Sequence, residues 1–297
     1  MTLEATPALP ARLSFGTTFS AGFSTVFSRF WMFIKAALLP VGLSILIGLG
    51  AFALAAVHPA LAFPLQILGM LPLALLGIAC CRLALIGRQA GAIPRPLFGR
   101  RTWVYFGYNL LFMLFVAGPM IVVGFAMLGG VIMSKGGDPD SFDPEKFAAF
   151  GIAVLLIFPF YFVYLYFITR ISLVFPAVSV DQKLGLGGSW RLTCGAAGFK
   201  LYAVFVLLTI ALIFGVSIVI GVMSAVVGLI WFVPGGLAQD PADISLLSIL
   251  ATQAPVLVLS LLLEYLGFVI MIAALASAYA QLSGWGGPRA EILERFE

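Results

Sequence analysis

Charged residues in this chain are confined to short gaps between long apolar runs. No Asp, Glu, Lys or Arg occurs between Lys35 and Arg82, and similar runs recur up to the C-terminus. A helix needs about 20 apolar residues to cross hydrocarbon about 30 Å thick, where unpaired backbone groups cost several kcal/mol. We therefore predict an all-α fold, a polytopic membrane helical bundle forming one integral-membrane domain over 1–297. Its six transmembrane helices are predicted at about 31–57, 62–84, 103–133, 149–177, 201–232 and 246–283.

The last predicted span is too long for one simple crossing. Residues 246–283 would form a helix of about 57 Å at 1.5 Å per residue. Pro255 predicts a break in it, with an external interfacial helix at 244–253 ahead of a span at about 256–280.

The segment before the first span carries a stripe of phenylalanines. Phe15, Phe19, Phe23 and Phe27 are spaced four residues apart, and serine and threonine fill the other faces. At 100° per residue, this spacing predicts one aromatic side on a helix. Two interpretations stay open: an amphipathic helix lying on the inner leaflet, or a cytoplasmic cap whose stripe packs on the bundle.

Each predicted pair of spans follows a short aromatic and basic segment. These segments lie at 27–31, 98–103 and 189–193. They favour three hairpins of parallel orientation, with possible repeats at 15–90, 91–183 and 184–287. Chance similarity among apolar hairpins is the alternative.

Lysine and arginine are distributed unevenly between the two sides of these six spans. Of the 16 Lys and Arg residues, all but Lys135 and Lys146 fall on one side. By the positive-inside rule, that side is cytoplasmic and holds both termini. We expect a multi-pass protein of the inner (plasma) membrane.

Composition excludes the soluble globular class. The mean hydropathy is +1.15 and 9% of residues are charged, whereas soluble domains contain roughly a quarter charged residues. Cytoplasmic arginine accounts for the net charge of +4, so nucleic acid is not an expected partner. The three cysteines form neither a disulfide framework nor a metal-binding spacing.

Glu264 is the one carboxylate inside an apolar run. A charged group at the bilayer centre costs about 2.5–3.5 kcal/mol on insertion scales, so this acid is expected to face the bundle, to be protonated or to be paired. Gln253, Ser260 and Glu264 fall on one helical face. Two interpretations stay open: a structural polar contact between helices, or a proton-relay or substrate site.

Arginines near the predicted cytoplasmic span ends are candidates for binding anionic lipid headgroups. They are Arg82, Arg95, Arg100, Arg101 and Arg170. Arg170 follows an aromatic run, and the alternative for it is anchoring at the interface with stacking on a tyrosine face.

The sequence contains no nucleotide-binding, metalloprotease or hydrolase motif. We therefore expect no enzymatic activity, no cofactor and no metal site. The leading hypothesis is a lipid-interacting or scaffolding membrane protein, with membrane lipids, a second copy or another membrane protein as partners. The alternative is a small transporter or channel using Glu264. A proteoliposome flux that Glu264→Gln leaves unchanged would remove the basis for that alternative.

One stretch carries a family resemblance. Residues 169–178, Thr-Arg-Ile-Ser-Leu-Val-Phe-Pro-Ala-Val, are followed at 188–193 by Gly-Ser-Trp-Arg-Leu-Thr and a further apolar run. This pattern resembles the bacterial integral-membrane proteins grouped with the glycerophosphodiester phosphodiesterase membrane domain and the YciC-like proteins. The resemblance covers nearly the whole chain and implies bacterial membrane location and topology. Some members fuse this module to a soluble phosphodiesterase barrel, whose acidic metal ligands have no counterpart in this sequence, so no activity is carried over.

Overall fold

The computed structural model describes residues 13–87, 97–115, 161–232 and 246–285. Every regular element in these ranges is a helix, which confirms the all-α prediction for the described part of the chain. The helices are Phe15–Ser28 (α1), Phe30–Val57 (α2), Pro59–Leu68 (α3), Met70–Leu85 (α4), 100–115 (α5), 161–171 (α6), Val174–Ser179 (α7), Gly185–Leu192 (α8), Ala196–Phe232 (α9) and Leu246–Ser283 (α10).

Five segments of the described chain are long and apolar enough to cross a membrane. They are Phe30–Ala55, Phe63–Leu85, Tyr161–Ser179, Ala196–Ala225 and Leu262–Ser283. They overlap with five of the predicted spans, of which 149–177 is described only from residue 161, and indicate a membrane protein. The remaining predicted span, 103–133, is described only as far as residue 115, so the count of six and the three-hairpin arrangement stay predictions. The repeats at 15–90, 91–183 and 184–287 also stay predictions.

The five segments differ in how deeply they lie in the bundle. Buried residues make up 61%, 50% and 56% of the second, third and fifth segments, but only 6% and 11% of the first and fourth. Accordingly, α4 packs between α2, α7 and α10, whereas α2 and α9 expose side chains such as Leu46 and Ile218. Lipid tails are as apolar as leucine, so these exposed faces suit a bilayer.

Two of the membrane-spanning segments are interrupted by proline. α3 ends at Leu68 and α4 begins at Met70, just before Pro72. Proline lacks an N–H group and its ring clashes with the carbonyl four residues earlier, which here belongs to Leu68. Pro176 has the same effect on residue 172, where the chain turns between α6 and α7.

The predicted break at Pro255 is wrong, because α10 continues through this residue from Leu246 to Ser283. α2 likewise continues through Pro40. Membrane helices tolerate proline where neighbouring groups or small local adjustments satisfy the freed carbonyl. A helix of this length exceeds the hydrocarbon thickness, so it must tilt or extend beyond the membrane.

The structure confirms a helix at the phenylalanine stripe and packs it against α10. Its buried face is Thr18, Gly22 and Val26. The phenylalanine stripe lies beside this face: Phe27 is 59% exposed, and Phe19 is only half-buried. Gln281 of α10 holds the start of α1, since its Oε1 accepts from the Ser14 N–H over 2.9 Å and its Nε2 donates to the Thr18 hydroxyl over 3.0 Å. Thus α1 packs on the bundle through a fully buried face of small residues, and Phe19 and Phe23 of the stripe also pack against the core while remaining partly exposed.

Replacing Gly22 with valine is expected to destabilise the protein. A Cβ at Gly22 would lie 3.2 Å from the Ile270 carbonyl oxygen and 3.3 Å from the Ala274 Cβ, so a valine must push α1 away from α10. Overpacking of this kind costs about 1–3 kcal/mol. The apparent unfolding temperature of the purified protein in detergent measures the loss.

Gly16→Val is the matched control, because Gly16 lies in the same helix with nothing within 4 Å of an added Cβ. Both replacements exchange a glycine of α1 for the same β-branched residue. Equal unfolding temperatures for the two variants would favour a helix that lies on the leaflet without packing on α10.

Candidate functional site at the basic end of the bundle

The ends of α4 and α7 meet the beginning of α5 at one end of the bundle. Arg82 lies in the last turn of α4, Arg101 in the first turn of α5, and Asp181 two residues after α7. Arg82 Nη1 donates to the Ser179 carbonyl oxygen over 3.3 Å, and Arg101 pairs with Asp181. These four residues, Arg82, Arg101, Ser179 and Asp181, are called the arginine site below.

Arg101 and Asp181 form a two-pronged ion pair. Arg101 Nε donates to Asp181 Oδ1 over 2.8 Å, and Arg101 Nη2 donates to Asp181 Oδ2. The Asp181 side chain is 64% exposed, so water screens the pair and its contribution to stability is at most about 1 kcal/mol. A cation in the first turn of a helix is unfavourable next to the partial positive charge of the helix N-terminus. Asp181 offsets that charge.

Asp181 has a left-handed backbone conformation, with φ of 63°. Among the described residues, it is the one non-glycine residue with a positive φ. This conformation costs roughly 1–2 kcal/mol, and aspartate and asparagine tolerate it better than other side chains. Such strain persists where the surrounding structure holds it, often at functional sites. The turn directs the chain from α7 towards α8 and leaves the carboxylate beside α5.

Arg82 is half-buried, and its hydrogen-bonding capacity is only partly used. Its Nε is buried and has no hydrogen-bond partner within the described part of the chain. The neighbouring Arg101 repels Arg82, while Asp181 attracts it. A buried donor without an acceptor costs about 1–3 kcal/mol. The arginine site therefore holds two cations, one acid and one guanidinium N–H group without an acceptor.

Arg170 lies apart from this site in a tightly packed cluster. It is 7% exposed, and its guanidinium carbon lies 3.6 Å from the centre of the Trp190 ring and 5.7 Å from that of Tyr166. Arg170 Nη2 donates to the Trp190 carbonyl oxygen over 3.0 Å, and Nε donates to the Thr193 hydroxyl over 3.3 Å. These contacts join α6 to α8. They occupy guanidinium N–H groups with which Arg170 would otherwise bind a lipid headgroup.

The turn after α8 is shaped to reach Arg170. The Ser189 hydroxyl donates to the Arg170 carbonyl oxygen over 2.7 Å, and Gly195 provides the left-handed residue that leads into α9. A Cβ on Gly198 would overlap the Thr193 carbonyl oxygen and lie 3.3 Å from Arg170 Nε. The cluster thus has no space for an additional methyl group at this point.

The other predicted lipid-binding residues differ in exposure. Arg100 is exposed at the start of α5, and Arg95 lies outside the described residues. Arg29, between α1 and α2, was not among the predicted residues. Its Nη1 donates to the Leu83 carbonyl oxygen over 2.6 Å, and it lines an open cleft of about 590 Å³ with the exposed rings of Phe27 and Trp31. Aromatic rings beside a cation are typical of a membrane–water interface.

The predicted polar stripe on α10 contains side chains of different exposure. Glu264 is exposed and Ser260 is half-buried, while Gln253 lies in α10 two residues before Pro255. Arg101–Asp181 is the ion pair found among the described residues, so no described cation pairs with Glu264. Both interpretations of Glu264, a structural contact between helices and a transport site, stay predictions.

Asp181 is not among the site residues predicted from the sequence, although it pairs with one of the candidate arginines. Asp181 and Glu264 are the acidic residues of the described chain, and Asp181 lies inside the basic segment 170–200. The one signal for Asp181 in the sequence was its position as a single acidic residue within a basic segment. Its partner Arg101 is 80 residues away, so spacing alone could not pair them.

The described residues contain no group of three or more His, Cys, Asp or Glu that could hold a metal ion. Cys80 and Cys81 are buried in α4, and Cys194 is exposed. No protein-family model, no curated protein and no solved structure matches this chain.

Proposed function

We propose that this chain is a non-enzymatic protein of the bacterial inner membrane that binds anionic lipid headgroups at its basic end, as a lipid-interacting or scaffolding module. Both termini would lie in the cytoplasm, as the uneven distribution of Lys and Arg suggests. The resemblance to YciC-like proteins supports the bacterial membrane location. A second copy or another membrane protein would be the partner of a scaffold.

The observation that carries this proposal is the excess of arginine over acid at the helix ends. Arg29, Arg82 and Arg101 lie there, and Asp181 is the single acid near them in the described chain. An anionic leaflet attracts each nearby basic residue by about 1 kcal/mol. Exposed aromatic rings such as Trp31, which is 72% exposed, suit the same interfacial depth.

The Arg100→Gln/Arg101→Gln double variant is expected to bind phosphatidylglycerol roughly thirtyfold more weakly than the wild type, because two interfacial cations that contribute about 1 kcal/mol each are lost. Native mass spectrometry of the full chain with phosphatidylglycerol or phosphatidylcholine measures this preference.

Lys135→Gln/Lys146→Gln is the matched control, because it removes the same charge from the predicted opposite side of the membrane. It is expected to keep the preference for phosphatidylglycerol. Indifference of the wild type to lipid charge, or equal losses in the two double variants, would contradict the proposal. A transporter or channel using Glu264 is the alternative, motivated by the position of this carboxylate inside an apolar run.

A further inference from the structure

We propose that the arginine site binds a single phosphate group, and that the Asp181 carboxylate occupies the position of that phosphate until the ligand displaces it. The inference rests on the proposed function, because the phosphate is expected to belong to an anionic lipid headgroup. The proposed function requires only a general attraction of a basic surface for lipid. The arginine site would add a defined binding position, with the Asp181 carboxylate as a competitor for it.

The charge and the acceptors of the site are incompletely matched. Two guanidinium groups share one carboxylate, and Arg82 Nε is buried without an acceptor among the described residues. A lipid phosphodiester has two charged oxygens, as a carboxylate has, and pairs with arginine through the same parallel N–H bonds, but it is not tied to the turn after α7. It can therefore satisfy the fork of Arg101 and approach Arg82 at the same time, which the short Asp181 side chain does not do.

Asp181 is easy to displace. Its side chain is 64% exposed, and the ion pair with Arg101 contributes at most about 1 kcal/mol. Loss of the Arg101 contact would therefore cost little, and the gain of a doubly held phosphate would exceed it.

The depth of the site favours a lipid headgroup over free phosphate. Arg82 belongs to the last turn of the membrane-spanning segment Phe63–Leu85, and Arg101 opens the helix that begins the next predicted span. Residues at the end of a span lie at the level of the headgroups. A lipid phosphate is present there at high local concentration, whereas free phosphate must enter from solution.

Asp181→Asn is the decisive variant, because it removes the competitor and keeps a side chain that tolerates the left-handed conformation. We expect it to bind phosphatidylglycerol about fivefold more tightly than the wild type, since a repelling charge a few ångströms from the phosphate is lost. A gain of affinity cannot arise from misfolding. Asp138→Asn removes the same charge from a predicted external loop and is expected to leave the affinity unchanged.

Arg82→Gln and Arg101→Gln are expected to weaken binding roughly tenfold each, because each removes charge-assisted hydrogen bonds to the phosphate. Arg191→Gln is the matched control, because Arg191 is an exposed cation at the end of α8. Affinities are measured on the full chain in nanodiscs, once with phosphatidylglycerol against phosphatidylcholine and once with inorganic phosphate alone.

The outcomes separate this inference from the proposed function. A wild type without preference for phosphatidylglycerol overturns the proposed function. A preference that Asp181→Asn does not raise, and that Arg82→Gln lowers no more than Arg191→Gln does, overturns the inference alone. Binding of inorganic phosphate with the same pattern across the variants, but without a lipid preference, supports the phosphate site and overturns the lipid as its source.

Discussion

Arg170→Ala is expected to lower the free energy of unfolding by about 3 kcal/mol. Arg170 is 7% exposed, and its guanidinium group donates to the Trp190 carbonyl oxygen and the Thr193 hydroxyl. Hydrogen bonds from a charged donor contribute about 1.5–3 kcal/mol, and a desolvated cation over an indole ring adds up to about 2 kcal/mol. The alanine variant loses both contributions and leaves the Trp190 carbonyl oxygen without this donor.

Arg170→Lys tests the geometry separately from the charge. An ammonium group lacks the planar fork, so lysine cannot stack on Trp190 and donate to both oxygens in the same way. We expect an intermediate loss of stability. Chemical or thermal unfolding in detergent, followed by tryptophan fluorescence, measures all three proteins.

Arg191→Ala is the control for Arg170→Ala, because both remove one arginine from the same part of the fold and Arg191 is exposed. Exposed substitutions change stability by no more than about 0.5 kcal/mol. If the two alanine variants unfold at the same temperature, Arg170 does not hold α6 and α8 together.

The membrane-spanning helices could be predicted from the sequence because their signal is local. About 20 consecutive apolar residues can satisfy their backbone in lipid only as a helix, whatever the rest of the chain does. The interruptions near Pro72 and Pro176 agree with the chemistry of proline, although they were not predicted. The chemistry of proline alone does not predict that α10 continues through Pro255. Neighbouring groups decide whether the carbonyl that loses its helical hydrogen bond finds another donor.

Contacts between distant segments could not be predicted. The phenylalanine stripe indicated a helix at Phe15–Ser28, but the deeper burial of Thr18 and Gly22 than of the stripe depends on the shape of α10. Small residues are buried where two backbones approach closely. In the same way, Arg101 and Asp181 pair only because α5 and the turn after α7 meet. The residue types of the arginine site were visible in the sequence, but their pairing was not.

Gly77→Ala is expected to disrupt the packing of α4 against α5, with a loss of about 3 kcal/mol. A Cβ at Gly77 would overlap the Tyr105 hydroxyl and lie 2.8 Å from Cζ and 3.0 Å from Cε1 of the same ring. Tyr105 is 1% exposed and packs on Phe175 with ring centres 4.9 Å apart, so the ring has no free space to move into. Overpacking typically costs about 1–3 kcal/mol, and a rigid aromatic ring puts this case at the upper end.

Gly107→Ala is the matched control for this variant, because Gly107 lies in α5 with nothing within 4 Å of an added Cβ. Replacing glycine by alanine in an open helical position stabilises by roughly 0.5–1 kcal/mol, so the two variants should change the free energy of unfolding in opposite directions.

Tyr105→Leu supplies the second test, because it leaves a cavity beside Gly77 that can hold the methyl group added by Gly77→Ala. The double variant should therefore be more stable than the sum of the single changes predicts, by about 1 kcal/mol. Strict additivity in this cycle would show that the methyl group and the Tyr105 ring do not compete for the same space.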